Sequence, residues 1–519
     1  MSTIYLAEIT AAVDGAGTLT TLRYSSGAGY SHPSAPGYYD ARIIQPANLR
    51  RTMFATGTTT GAVEVGFGEL ILANVDGALD ALIDYGFDGR PVRLLIGDDT
   101  AAYSSFVPVL VGTMEQAALT VGDITIRLRD RLASLEARPA SPNTYAGTNA
   151  LPAGLEGTSD DIKGRRKVRT LGRVLNVSPV CVNTSRLIYQ VHDGAVSAVS
   201  AVYDNGVSLT AGAVYASQAD METAAPAASN FRVWPAGGYF RLGSSPAGTI
   251  TADVTQGAAV ANRTAGQLLL SLAQTGGLVS GEWSASDVTA LDAAAPEELG
   301  LWLGEDMTVR AAMERVASAA GAWFGFDRQG LLRMGRVSAP SGSPAVVLQS
   351  FGLGAAAPAN GADILEVERL ASDDPGRGVP AYRVTVNHSK NWTVQNSVAG
   401  SVTAARRTFL AAEYRASVAT NAAVLTKHTS SPELSFDTLL LSEANASAEA
   451  TRRLGLYGVR RDRLRVRVRL DGALAAAVDL GGVVSVALGR FGYGAGKLFI
   501  VTGIEYDAAS NEAELELWG

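Results

Sequence analysis

An alternation of period two marks both ends of the chain. Leu464, Val466, Val468 and Leu470 alternate with Arg463, Arg465, Arg467 and Arg469, and Ile124, Ile126 and Leu128 alternate with Thr125, Arg127 and Arg129. Successive side chains of a strand face opposite sides of a sheet, so each run predicts a strand with one apolar and one basic face. Further runs predict strands over 4–12, 19–24, 63–73, 92–96 and 106–113, enough for a barrel or sandwich within the first 140 residues. Asp88-Gly89-Arg90-Pro91 reads as a turn, 79–85 as a short helix, and 25–36, rich in Gly, Ser and Pro, as an exposed loop.

The pattern changes over 138–170. Pro139, Pro142 and Pro152 precede Asp160-Asp161 and the basic run Lys163, Arg165, Arg166, Lys167 and Arg169, which reads as a crossover whose charges form a solvated loop or a subunit patch. Short strands resume over 171–260, with a hairpin turn at Asp204-Asn205-Gly206. Helical spacing follows over 264–273 and again over 309–320, where Val309, Ala312, Met313, Val316 and Ala320 recur at three and four residues. Thr308 caps the second helix and Gly321 ends it. Ala322 to Phe326, a turn at 327–330 and Leu331 to Met334 complete a helix-then-hairpin unit. A Gly- and Ala-rich connector over 338–362 leads to a last β region with one helix over 442–456.

The expected class is mainly β with a small α/β part, in several domains. The divisions are 1–140, an N-terminal β domain; 141–260, a linker and small β domain; 261–340, an α/β helix-hairpin domain; 341–374, a linker; and 375–519, a C-terminal β domain. At 519 residues the chain exceeds one core, and 47% hydrophobic against 18% charged residues makes it globular. There is no apolar run of membrane-spanning length, and the first residues lack the basic and apolar regions of a signal peptide; folding in a cytoplasm is expected. A net charge of -7 supplies no basic field to hold nucleic acid, yet is compatible with a conduit along which DNA slides. Cys181, the one cysteine, reads as a core residue between Val180 and Val182.

Local catalytic patterns fail on residue type or spacing. His32, His192, His388 and His428 lie too far apart for a paired-ligand motif, and Gly492 to Lys497 has Phe491 and Leu498 where a phosphate loop needs Gly and Ser or Thr. Glu305-Asp306 fits a helix start and Asp373-Asp374 a turn, although a glycosidase would need such carboxylates. Trp392 reads as core or interface rather than a sugar platform. No catalytic, cofactor or metal residue is assigned.

Three places carry a resemblance: Lys163-Gly164-Arg165-Arg166-Lys167 through Leu187 to Gly194; Gly321 to Asp327 with Gly330; and Leu480 to Val484 through Phe499 to Glu505 and on to Leu517-Trp518-Gly519. In these the chain resembles the tail-tip, or baseplate hub, proteins of long-tailed, siphophage-like bacteriophages and prophages. The resemblance implies a structural virion protein without enzymatic activity. It would form a ring that ends the tail tube and gates passage of tape measure and genome during ejection. Such hubs carry two tube-like β domains, here expected over 1–140 and 375–519, so that a homotrimer offers six units to a sixfold tube; a hexamer is the alternative state. Implied partners are the distal tail protein, the tape-measure protein, central fibre or receptor-binding proteins, DNA in transit and the host envelope. The place is the virion tail tip, after assembly in the host cytoplasm.

Four arginines on one strand repel unless carboxylates accompany them, which nominates Arg127, Arg129, Arg465, Arg467 and Arg469 as subunit-contact or channel-wall residues. Trp518 joins them, because a chain that stops on a strand is expected to pack its terminus against another subunit. Loops 25–36 and 490–496 are the gating candidates. Two other readings stay open: a sixfold distal tail adaptor, and a cell-wall or capsule hydrolase of the tail.

Overall fold

Strand Arg463–Arg469 sends Leu464, Val466 and Val468 wholly into the core, leaving its arginines on the opposite face. In the computed structural model, which describes residues 3–66, 68–349, 361–470, 472–507 and 510–519, this strand lies antiparallel between Gly361–Leu370 and Glu512–Trp518. Glu512–Trp518 pairs with Lys497–Asp507, which pairs with Val483–Ala487, and Val346–Gln349 joins that strand back to Gly361–Leu370. Six strands thus close on themselves as a barrel. The far end of Lys497–Asp507 also takes Leu49–Thr52, which in turn takes Glu64–Gly66, so the N-terminal part of the chain extends the C-terminal barrel.

A second ring lies at the other end of the sequence. Leu19–Ser25, Thr3–Ala12, Pro91–Asp98, Val107–Leu119, Asp123–Arg129 and Glu69–Ala73 are neighbours in that order. One short segment closes the gap: Asp40–Ala41 pairs with the first of these strands and Ile43–Gln45 with the last. Arg42, between the two, donates to both carboxylate oxygens of Asp76 at 2.7 and 2.8 Å and to Asp40 at 2.9 Å, which holds the Asp76 carboxyl down at about 2. Helix Gly472–Ala477 packs on Pro91–Asp98 and Val107–Leu119, and one continuous apolar core runs through both barrels.

The predicted strand over 63–73 divides into Glu64–Gly66 and Glu69–Ala73, which join different barrels. Gly68 permits the division: a Cβ there would lie 2.0 Å from the carbonyl oxygen of Asn48, so only glycine lets the two backbones cross. The predicted linker over 341–374 supplies two barrel strands, Val346–Gln349 and Gly361–Leu370; the middle of the Gly- and Ala-rich connector, 350–360, is outside the described residues.

Between the barrels in sequence lie two further units. Two five-stranded sheets face one another across a core that includes Val174, Phe231 and Phe240. Their hairpin at Asn205 and Gly206 has φ of 48° and 83°, the paired left-handed geometry of a two-residue turn. The α/β unit contains helix Val309–Ala320, capped by the Thr308 hydroxyl, which accepts from the Ala311 N–H at 3.2 Å, and ended by Gly321 at φ 67°. The hairpin Ala322–Phe326 and Leu332–Arg336 follows, joined in parallel by Gly61–Ala62. Helices Ala265–Thr275 and Glu443–Tyr457 share its core with the sheet of Arg415–Thr420, Arg383–His388 and Glu433–Asp437. The three strands and helix Glu443–Tyr457 therefore pack with the α/β unit, and 391–410 lies against the five-stranded sheets, with Asn391 and Arg406 on Asn176 and the Ala399 N–H on the Asn205 carbonyl; none of these lies within the C-terminal barrel. The molecule is mainly β and multidomain, with barrel-like sheets and few helices.

Candidate assembly surfaces

The basic face of Arg463–Arg469 meets carboxylates on both sides. Glu366 and Glu368 stand across from Arg467 and Arg465 on one neighbouring strand, and Glu512, Glu514 and Glu516 across from Arg469, Arg467 and Arg465 on the other. Arg465 pairs with Glu514 at 2.9 Å and Glu368 at 3.4 Å; Arg467 pairs with Glu366 and, at 3.5 Å, with Glu512. Arg463 pairs with Glu516 at 2.9 Å, and Arg50 reaches the same carboxylate at 3.0 Å. In the N-terminal barrel Arg127 pairs with Glu69 at 3.1 Å and Arg129 with Glu115 at 3.4 Å. For Arg463, Arg465 and Arg467 the accompanying carboxylates therefore come from the same chain, and Glu512 stands opposite Arg469. The pairs of Arg465, Arg467, Arg127 and Arg129 are solvent-exposed, each contributing about 0–1 kcal/mol, whereas Glu516, between Arg463 and Arg50, is buried; the face is charge-balanced.

Trp518 sits inside its own chain at 3% exposure, opposite Arg463 and Ile500 in the barrel register. Its ring carries the Arg461 guanidinium at 5.4 Å. Gly519 exchanges backbone hydrogen bonds with Asp462 at 2.7 and 3.0 Å. The terminal strand is covered by its own neighbours because it is an interior member of a closed ring.

Four exposed apolar residues of the N-terminal barrel gather at one rim. Leu19, Val75, Ile83 and Val121 are 55, 83, 68 and 96% exposed, on loops tied together by Ala12 N–H to the Gly86 carbonyl at 2.9 Å and Asn74 N–H to the Gly122 carbonyl at 2.8 Å. Asp14, Asp76, Asp80, Asp84 and Asp123 surround them, and loops 13–18, 74–86 and 120–123 contain no Lys or Arg. Sequence reading passed over this rim, although a valine at the tip of a Gly-Asp hairpin, Val121, was the available signal.

The two loops expected to gate are held at their centres. In 25–36 Tyr30 is buried, exchanges two backbone hydrogen bonds with Tyr39 at 3.0 Å and donates its hydroxyl to the Ala101 carbonyl at 2.9 Å. In 490–496 Tyr493 is buried and donates to Asp462 at 2.7 Å, beside Lys497 at 2.8 Å from the same carboxylate. These contacts hold the Asp462 carboxyl near 2, against burial, which pushes it up. The Gly-rich segment is a turn joining Val483–Ala487 to Lys497–Asp507.

The remaining candidates separate in space. Asp373 pairs with Arg463, while Asp374 is buried and accepts from the Ser372 hydroxyl at 2.8 Å and the Gly378 N–H at 3.0 Å. His192 is buried and accepts the Thr170 N–H at Nδ1 (3.0 Å). Among the described residues no group of three or more His, Cys, Asp or Glu could hold a metal ion. Trp392 and Tyr414 line an open cavity of about 520 Å³, but Lys390 lies over both rings, 4.6 and 5.0 Å from their centroids.

No protein-family model matches the chain, and no curated protein does. Solved structures similar to it include tail proteins and a virion chain. The 43 kDa tail protein of prophage MuSo2 from Shewanella oneidensis is 11% identical with a TM-score of 0.40, covering 99% of this chain and 98% of that one. A tail protein from Neisseria meningitidis MC58 is 11% identical with a TM-score of 0.41, covering 99% and 96%. A chain from the virion of a native gene transfer agent particle is 15% identical with a TM-score of 0.41, covering 69% and 84%.

Proposed function

We propose that this chain is a structural subunit of a phage-type tail, a hub that assembles as a homotrimeric ring at the end of the tail tube. The observation that carries the reading is the presence of two closed β barrels in one chain, sharing one apolar core. Three copies then present six barrels, the count a sixfold tube needs. Each barrel is filled by its own side chains, including Leu464, Val466, Leu515 and Leu517 in the C-terminal one, so neither is a conduit by itself. A channel for tape measure and DNA must run between copies, along a charge-balanced outer face that does not adsorb phosphate. The three sequence segments that resemble hub proteins agree with this reading. A sixfold adaptor would need only one such barrel per chain, and the second barrel weighs against it.

Sedimentation of the purified protein tests the assembly. The expected particle contains three chains; a stable particle of six, or a monomer at all concentrations and salt conditions, overturns the trimer.

A further inference from the structure

A groove of about 510 Å³ lies between helix Ala285–Ala294, the end of strand Leu332–Arg336 and helix Glu443–Tyr457. Its floor is apolar, with Ala290, Leu291, Val337 and Leu456, and its charged lining residues are Arg336, Arg452 and Arg461, with no Asp or Glu. Two of the arginines are saturated. Arg336 donates to Glu449 at 2.6 Å and to the carbonyls of Ala320 and Ala294; Arg452 donates twice to Glu449, at 2.7 and 2.9 Å, and to the Val337 carbonyl at 2.9 Å. Arg461 differs. Its Nε donates to the Leu456 carbonyl at 3.2 Å and its guanidinium carbon lies 5.4 Å from the Trp518 ring centroid, while its two terminal nitrogens make no hydrogen bond among the described residues.

A guanidinium stays charged in such a place, and its two free terminal NH2 groups form the fork that a carboxylate fits bidentately. Arg336, Arg452 and Arg453 gather around Glu449, with Glu297 acting on the first two from further off, and Arg461 has Asp374 as its nearest opposite charge, so four arginines face three carboxylates. The local surplus is positive, so the complementary occupant is an anion with an apolar flank. We propose that this groove docks a partner protein through an Asp or Glu side chain on Arg461, with a branched or aromatic neighbour of that residue seated between Leu291, Val337 and Leu456. The inference shares with the tail reading only the need for a protein partner, and a docking measurement on the intact chain reads it whether or not a ring forms.

The test is an array of heptapeptides with central Asp or Glu flanked by Leu, Ile, Val or Phe, each beside its Asn or Gln twin. The strongest members are then titrated in solution by fluorescence polarisation. Acidic members are expected to bind at least tenfold more tightly than their amide twins. Arg461→Met should reduce that preference below twofold, and Arg461→Lys, which keeps charge but loses the fork, should fall between. Ala290→Trp, at an exposed helix position, should fill the groove and abolish binding of acid and amide alike with the fold intact. Equal binding of the twins, binding of no peptide, or a tenfold preference surviving Arg461→Met would overturn the proposal. Decanoate binding without peptide binding would reassign the groove to a free amphiphile and also overturn it.

Discussion

Replacing Glu449 by Gln removes the one carboxylate at the centre of the α/β unit. Glu449 is 4% exposed and takes Arg336 and Arg452 on one oxygen, at 2.6 and 2.7 Å, and Arg453 and Arg452 on the other, at 2.6 and 2.9 Å. Arg453, fully buried, donates onward to the carbonyls of Ser318 and Ala319 at the end of helix Val309–Ala320. The cluster therefore ties three elements together. Removing one partner of a buried ion pair costs about 3–5 kcal/mol, and Arg452, partly exposed, recovers solvation, so the three pairs do not add. The carboxyl's own titration gives a second figure. Burial pushes it up, but the hydrogen bonds of Arg452 and the charges of Arg453, Arg452 and Arg336 outweigh this and hold it at about 2, below its usual 4.5. A depressed carboxylate stabilises fully above its unfolded pKa and loses that contribution as pH falls through the folded one. Some 3 kcal/mol should thus disappear between about pH 4.5 and 2. Hydrogen exchange in mild urea is the suitable assay, since a multidomain chain has no single unfolding free energy. Glu449→Gln should lose about 3–5 kcal/mol of protection over 309–336 and 443–457 and flatten the acid limb there. Protection within about 1 kcal/mol of the parent, or an equal loss in both barrels, would refute the reasoning.

Three further expectations follow from single contacts. Burial first, then Arg169, push His192 down to about 4 from 6.5; the unfolded chain takes its proton first, so stability is full above about pH 6.5 and falls by about 3 kcal/mol towards pH 4. His192→Gln should remove that dependence from exchange of 169–177. Tyr30→Ala deletes one ring, packed 5.0 Å from Phe106 and 5.8 Å from Tyr39, at a local cost of about 3–5 kcal/mol, and should raise subtilisin cleavage over 26–38 at least tenfold; unchanged cleavage would count against the anchor. Arg467→Glu places a fourth carboxylate among Glu366, Glu512 and Glu514, and should lower C-terminal barrel stability by about 1–2 kcal/mol while impairing ring formation more, as melting and sedimentation would read.

What the sequence disclosed was what is local. Thr308, the three- and four-residue spacing and Gly321 lie within one segment, and helix Val309–Ala320 appears as they predict. The alternation of Arg463 to Leu470 likewise defined a strand and its buried face. Closure of the barrels was not legible, because Leu49–Thr52 and Val346–Gln349 are short and carry no label naming partners hundreds of residues away. Glu449 with Arg452 and Arg453 reads in sequence as ordinary surface pairs at helical spacing. Only the arrival of Arg336 from a distant strand makes the cluster a buried one. Trp518 was assigned outward for a similar reason: a terminal strand looks like an edge until the ring that encloses it is known.

A symmetry-resolved reconstruction of the assembled tail end tests the central claim most directly, because it counts chains and barrels together. The account predicts three copies around the axis, with the two barrels of each at one radius so that six encircle the channel. Six copies around the axis, or a ring in which one barrel of every chain lies outside the tube wall, would contradict it.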